Sequence, residues 1–104
     1  MNAVIAGEDE DGLGEALEAE GFEVTRIEGF ADRVALETAG IEDATVFAIT
    51  DTVHATGIPV ARELNEELRI IVYAADSLPE FAQPLADLIV DPDLLSPEAI
   101  AEEL

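Results

Sequence analysis

The chain has 104 residues, with 25 Asp and Glu against four Arg, no Lys, no Cys and a formal charge of −21. That length suits a single domain, residues 1–104, able to bury one core, and without Cys neither a disulfide framework nor a thiolate metal centre can form. No apolar run reaches the ~18 residues of a membrane span. With no cluster of Lys or Arg to neutralise phosphates, direct nucleic-acid binding is disfavoured, and an apolar content of 49% argues against a disordered acidic chain.

Short apolar runs alternate with helical patterns along the whole chain. The first strand is expected at Ala3 to Ala6 and is followed by the loop Gly7-Glu-Asp-Glu-Asp-Gly12. A helix carrying Leu13 and Leu17 then runs to Gly21, a plausible stop. The second strand spans Phe22 to Ile27, and Phe30 to Ala39 forms a short helix closed by Gly40. After a third strand, Thr45 to Ile49, comes the best-patterned helix, Ile58 to Leu68, where Ile58, Ala61, Leu64 and Leu68 recur at helical spacing. A fourth strand covers Arg69 to Tyr73, a weaker helix Leu78 to Ala86 is interrupted by Pro84, and a fifth strand covers Leu88 to Val90. The last helix starts at Ser96-Pro97-Glu98, with a hydroxyl N-cap, proline at the first helical position and an acid in the first turn.

Strands that are continuously apolar belong to a parallel sheet covered on both faces, so the alternation predicts a three-layer, Rossmann-like α/β fold around five parallel strands. Ligands of such sheets bind beyond the carboxyl ends of the strands. Here those ends are Gly7 to Gly12, Glu28, Thr50-Asp51, Ala74 to Asp76 and Asp91-Pro92.

Gly7 and Gly12 match the first and third glycines of a dinucleotide-binding G-x-G-x-x-G loop, but Asp9 holds the middle place, where a pyrophosphate must approach the backbone. A carboxylate ~5 Å from a phosphate costs about 3 kcal/mol at an effective dielectric of 20. Glu28 follows Gly7 at about the spacing of the acid that binds an adenosine ribose. Asp9, Asp11, Gly12 and Glu18 also fit places of a calcium loop, but Gly7 stands where its first ligand belongs. A phosphoryl-accepting receiver domain is a further reading. It needs acids after the first strand (Glu8, Asp9) and an Asp after the third (Asp51), but its hydroxyl after the fourth and its lysine after the fifth are replaced by Ala74-Ala75 and Asp91. The single histidine, His54, is read as a capping or surface residue, and Tyr73 as core or rim.

The stretches "AGIEDATVFAITD", residues 39 to 51, and "IPVARELNEELRIIVYA", residues 58 to 74, resemble the nucleotide-binding N-terminal domains of potassium-transport regulators, the RCK (TrkA-N) family. That resemblance implies strand order 3-2-1-4-5, a homodimer, and binding of NAD(H) or an adenine nucleotide at Gly7, Gly12, Glu28, Thr50 and Asp51, with Asp9 inside the same loop. A transporter or another regulatory protein would be its partner. The function expected on this basis is a stand-alone, non-enzymatic regulatory or interaction module with lost or altered nucleotide binding. The alternative is a degenerate receiver working through protein contacts.

With no basic leader segment, the expected location is the cytoplasm. The charge balance predicts a salt-adapted surface, because at ~1 M ionic strength the Debye length falls to ~3 Å and self-repulsion is screened. The melting temperature should therefore rise steeply between dilute buffer and molar KCl, as followed by circular dichroism. Equal melting temperatures in the two would remove the halophilic reading.

Overall fold

The structure is a computed structural model that describes residues 1–104. Five parallel strands form one sheet: β1 (Asn2–Ala6), β2 (Glu23–Ile27), β3 (Val46–Ile49), β4 (Arg69–Tyr73) and β5 (Leu88–Val90). Four helices accompany them: α1 (Leu13–Ala19), α2 (Arg33–Thr38), α3 (Gly57–Leu64) and α4 (Pro97–Glu103). The expected three-layer α/β architecture and all five strand positions are present.

The strand order is β2-β1-β3-β4-β5, not the 3-2-1-4-5 that the resemblance implied. β1 pairs with both β2 (Ala3 with Val24) and β3 (Ala3 with Val46). The reason lies in the side chains. Every residue of β3, Val-Phe-Ala-Ile, is buried, as an interior strand covered on both faces requires. β2 reads Glu-Val-Thr-Arg-Ile and exposes Glu23, Thr25 and Arg26, which suits an edge.

Alternation along the strands divides the core into two halves. Val4, Ala6, Phe47, Ile49, Ile70 and Val72 pack with Leu36 of α2 and Ile58 and Ala61 of α3. Ala3, Ile5, Val46, Ala48, Ile71 and Tyr73 pack on the opposite face with Leu13 and Leu17 of α1 and Ile100 of α4. The helices carry the caps that their sequences promise. Asp32 accepts from the Ala35 N–H at 2.8 Å, and Ser96 Oγ accepts from the Ala99 N–H at 3.2 Å ahead of Pro97.

Three expected helices differ. α2 starts at Arg33 rather than Phe30, behind the Asp32 cap. α3 stops at Leu64 rather than Leu68, because Asn65 turns extended (φ −151°) and its side-chain amide donates to the carbonyls of Ile41 and Ala44. The stretch Leu78 to Ala86 holds only a 3₁₀ turn, Gln83–Leu85. Pro79 and Pro84 each lack an N–H, and a proline inside a helix both removes a bond and clashes with the preceding turn. The β4-to-β5 crossover is therefore helix-free, and Ile89 on β5 is left exposed.

Arg62 joins three elements at the opposite end of the sheet from the strand carboxyl ends. Its guanidinium donates to the carbonyls of Glu66, Leu68 and Leu85 and to the Asp87 carboxylate, at 2.6 to 3.0 Å. Asp87 also accepts from the Ile70 N–H at 2.8 Å. Desolvation would raise the pKa of Asp87, but this N–H, the Arg62 bond and charge, and Arg69 outweigh it and hold the carboxyl below its usual value. Arg62→Ala should cost about 2–4 kcal/mol, since it leaves several carbonyls and a carboxylate unpaired. Arg62→Lys should recover little of it, because one ammonium cannot span the same acceptors. Urea denaturation in molar KCl measures both, and losses within ~0.5 kcal/mol of zero would refute the joint.

Candidate functional site

The strand order places a switch point between β1 and β3, whose chains leave in opposite directions, and the crevice beyond their carboxyl ends is where such folds bind ligands. Two cavities lie there. The larger, about 560 Å³, is lined by Gly7, Glu8, Asp9, Arg26, Ile27, Glu28, Gly29, Phe30, Asp51, Val53 and His54. The smaller, about 280 Å³, is lined by Glu8, Asp9, Glu10, Asp11, Thr50, Asp51, Tyr73, Ala74, Ala75 and Pro92. Of the six residues singled out from sequence, Gly7, Asp9, Glu28 and Asp51 meet in the larger cavity, and Thr50 joins Asp9 and Asp51 in the smaller. Gly12 lines neither; it sits at φ +78° as the residue before α1.

Asp9 decides the chemistry of this loop. Its Oδ1 accepts from the Leu13 N–H and its Oδ2 from the Gly14 N–H, both at 2.7 Å, and Oδ2 also pairs with Arg26 Nη1 at 2.9 Å. The first N–H groups of a helix have no intrahelical acceptor and favour a negative charge, which is why dinucleotide folds seat a phosphate there. In this protein a side-chain carboxylate occupies that place. Burial works to raise the pKa of Asp9, but the Gly14 N–H, Arg26 and the Leu13 N–H together hold it below its usual value.

The glycines fit this arrangement. A Cβ on Gly14 would collide with the Arg26 guanidinium and lie 3.0 Å from Asp9 Oδ2, so the ion pair lies across the start of α1 only because residue 14 has no side chain. Gly7, at φ +106°, packs against the end of β3, where a Cβ would strike Thr50 Oγ1 and come within 3.3 Å of the Asp51 nitrogen. Thr50 Oγ1 in turn donates to the Glu8 carbonyl at 2.5 Å, tying the ends of β1 and β3 together.

The positions required by the receiver reading after the first, third and fourth strands converge, whereas Asp91, after the fifth, does not line the cavity. Glu8, Asp9, Asp51 and Ala74-Ala75 surround the smaller cavity. Asp51 is exposed, and its Oδ1 accepts from the Val53 N–H at 2.9 Å, capping the 3₁₀ turn Thr52–Thr56. No group of three carboxylate or imidazole side chains is placed to hold a metal ion, and the calcium-loop positions form no such group. Tyr73 is buried and donates to the Leu95 carbonyl at 2.6 Å. Its pKa is raised by desolvation and by the charges of Asp11, Glu98, Asp9 and Asp91.

His54 is neither the capping nor the surface residue expected from sequence. It is 8% exposed, in the wall of the larger cavity, and its Nδ1 has no hydrogen-bond partner. Phe30, 71% exposed, faces it with ring centroids 6.3 Å apart. Neither Phe30 nor Arg26 was singled out from sequence, because both become site residues only through the folding of β2 beside β1. For Arg26 the available signal was its rarity, as one of four cations in the chain.

Residues 3–104 match the family of unknown function DUF7126. The chain belongs to that family. No curated protein matches it. Among solved structures, this DUF7126 chain is similar to HP1043, an orphan response regulator of H. pylori, with a TM-score of 0.75 and 14% identity over 99% of this chain and 92% of that one. It is similar to an atypical orphan response regulator with a phosphorylation-independent regulatory mechanism, with a TM-score of 0.71 and 15% identity over 99% and 91%. A third is a CpaE protein of Burkholderia thailandensis E264, assigned to pilus assembly, with a TM-score of 0.69 and 22% identity over 99% and 93%. At these identities the likeness establishes the fold, that of receiver domains. The resemblance to RCK (TrkA-N) domains is thereby corrected: the family, the structural neighbours and the strand order all differ from it. The resembling stretches form one β3-α3-β4 unit, whose local pattern is common to both strand orders.

No helix is long and apolar enough to cross a membrane.

Because the folded-state pKa of Asp9 lies below its usual 3.8, its stabilisation is complete above that value and is lost as pH falls through the folded pKa. Asp9→Asn should thus cost about 1–3 kcal/mol at neutral pH. The difference from the parent should begin to shrink as pH falls below the usual aspartate value and be lost once pH is below the folded pKa. Comparing the two by chemical denaturation at each pH cancels the charge background shared by both, and a difference independent of pH would contradict this role.

Proposed function

We propose that the domain is a receiver-like regulatory module that acts through protein contacts, without catalysis and without phosphoryl transfer. The observation that carries this reading is the commitment of Asp9 to two backbone N–H groups of α1 and to Arg26, which removes it from the acidic group that a receiver would use around its acceptor. The remaining positions support it. Ala74 and Ala75 offer no hydroxyl to a phosphoryl group, and the sequence has Asp91 rather than a lysine after the fifth strand. Similarity to an orphan response regulator with a phosphorylation-independent mechanism points the same way.

The fold in this reading is a rigid display surface. Phe81, Ile89, Leu94 and Leu95, on β5 and the segments flanking it, are large apolar side chains left exposed, and such groups favour contact with another protein. Self-association into a homodimer is one form such a contact takes, and a regulatory partner protein is another.

Incubation with acetyl phosphate and Mg²⁺ in molar KCl, followed by intact-mass measurement, tests the phosphoryl part. We expect no adduct on the parent chain. A phosphoryl increment that disappears in Asp51→Asn would overturn the proposal and restore an active receiver.

A further inference from the structure

We propose that the edge strand β5 pairs with the β5 of a second copy of this chain, antiparallel and about a two-fold axis at Ile89, so that the two five-stranded sheets become continuous. The pairing rests on the reading of the domain as a module of protein contacts. It does not depend on whether Asp51 accepts a phosphoryl group.

β5 is the last strand of the sheet, with a neighbour on one side only. The Val90 carbonyl faces inward and accepts from the Ala74 N–H at 3.1 Å. Alternate residues of a strand direct their backbone groups to opposite sides, so the N–H and the C=O of Ile89 both face outward. An unpaired edge is a template for another strand, and natural edges are commonly blunted by charge. The opposite edge follows that rule, with Glu23 and Arg26 in β2, whereas β5 reads Leu-Ile-Val. In a chain of charge −21, an uncharged strand is a place where two copies can approach.

The axis follows from the backbone. Opposed residues of an antiparallel pair exchange both of their N–H···O=C bonds at alternate positions, and the two-fold sets one residue against itself. Ile89 is the residue of β5 that has both groups free. Apolar side chains flank the edge on each face of the sheet. On one face the crossover carries no helix, and Ile89 and Phe81 are exposed. On the α4 face Leu88 and the exposed Leu95 line an apolar cavity of about 280 Å³.

Charge complementarity selects a second copy as the occupant. Three of the four arginines form ion pairs, but Arg69 makes only a 3.4 Å bond to the Glu103 carbonyl. Arg69 lines the cavity beside Asp87 and Leu88, at the start of β5. Antiparallel pairing at Ile89 brings the far end of the other β5, with Asp91 and Asp93, to that side. The unpaired guanidinium then meets acids, once in each half of the dimer. Asp87, which falls opposite Asp91 of the second copy, is already neutralised by Arg62 at 2.9 Å.

Sedimentation equilibrium in ~1 M KCl, where long-range repulsion is screened, should show a monomer–dimer equilibrium. Ile89→Lys should abolish it, and Arg69→Gln should weaken it about threefold, the scale of one exposed ion pair. Both side chains are exposed, and circular dichroism verifies that the variants fold. Because the chain has no cysteine, Ile89→Cys reports the axis directly. Opposed Cα atoms of a hydrogen-bonded pair stand ~5.5 Å apart, within disulfide range, so oxidation should join most of the dimer. Val34→Cys, exposed on α2, should cross-link at least about tenfold more slowly, at the rate of random collision. A parent that stays monomeric up to ~1 mM, a dimer that survives Ile89→Lys, or Ile89→Cys cross-linking no faster than Val34→Cys would each overturn the pairing. None of these results bears on the acetyl phosphate experiment, so failure here is separate from failure of the reading at Asp51.

Discussion

The carboxylate of Asp9 holds together the end of the sheet at which folds of this kind bind their ligands. It closes the first turn of α1 through two backbone N–H groups, and through Arg26 it fastens the edge strand β2 to that turn. A helix of seven residues has little intrinsic stability, so the charge at its start matters more than it would in a longer one. The same bonds settle what the loop can bind. A phosphate seeking the start of α1 would have to displace a carboxylate that is covalently tethered and ion-paired. The acids of "GEDEDGLG" are thus of two kinds: Asp9, whose side chain is only 7% exposed, is a structural ligand of the helix, whereas Glu8, Glu10 and Asp11 are exposed.

Much of the fold could be read from the residues themselves. The five apolar runs became the five strands, and Ser96-Pro97 and Gly21 marked helix ends where the structure has them. The position of β2 at one edge accords with its two charged residues in five, against the wholly buried Val-Phe-Ala-Ile of β3, but the full order was not legible, since the other edge, β5, is an uncharged Leu-Ile-Val. The likeness of the β3-α3-β4 segment to a potassium-regulator domain pointed elsewhere, because a single βαβ unit carries no information about where the chain goes after β2. The expected helix at Leu78 to Ala86 failed for a local reason, two prolines within nine residues.

The candidate site was legible only in part. Gly7, Asp9, Glu28 and Asp51 were found because they follow strands, and parallel strands deliver their carboxyl ends to one place. That an acid of a βα turn stabilises the start of the following helix could be expected from sequence, and Asp9 does so; its pairing with Arg26 and the packing of Thr50 against Gly7 could not, since both depend on three-dimensional approach. His54 was read as a capping or surface residue because it follows the polar Asp51-Thr52 pair at the end of β3; within the 3₁₀ turn Thr52–Thr56 it is buried instead, with the ring of Phe30 6.3 Å away.

The four arginines show how an extremely acidic chain uses scarce cations. All acids but Asp9 and Asp91 are exposed, so most of the negative charge lies in solvent. Arg26 fastens α1 to β2, Arg62 joins α3 to the starts of β4 and β5, Arg33 pairs with Glu63 between α2 and α3, and Arg69 donates to the Glu103 carbonyl at the end of α4. Each joins segments distant in sequence, where a planar guanidinium can donate several bonds from a fixed fork. Every cation of the protein is thereby engaged in holding elements together. None is left to balance a phosphoryl group at Asp51, which accords with the phosphorylation-independent module proposed above.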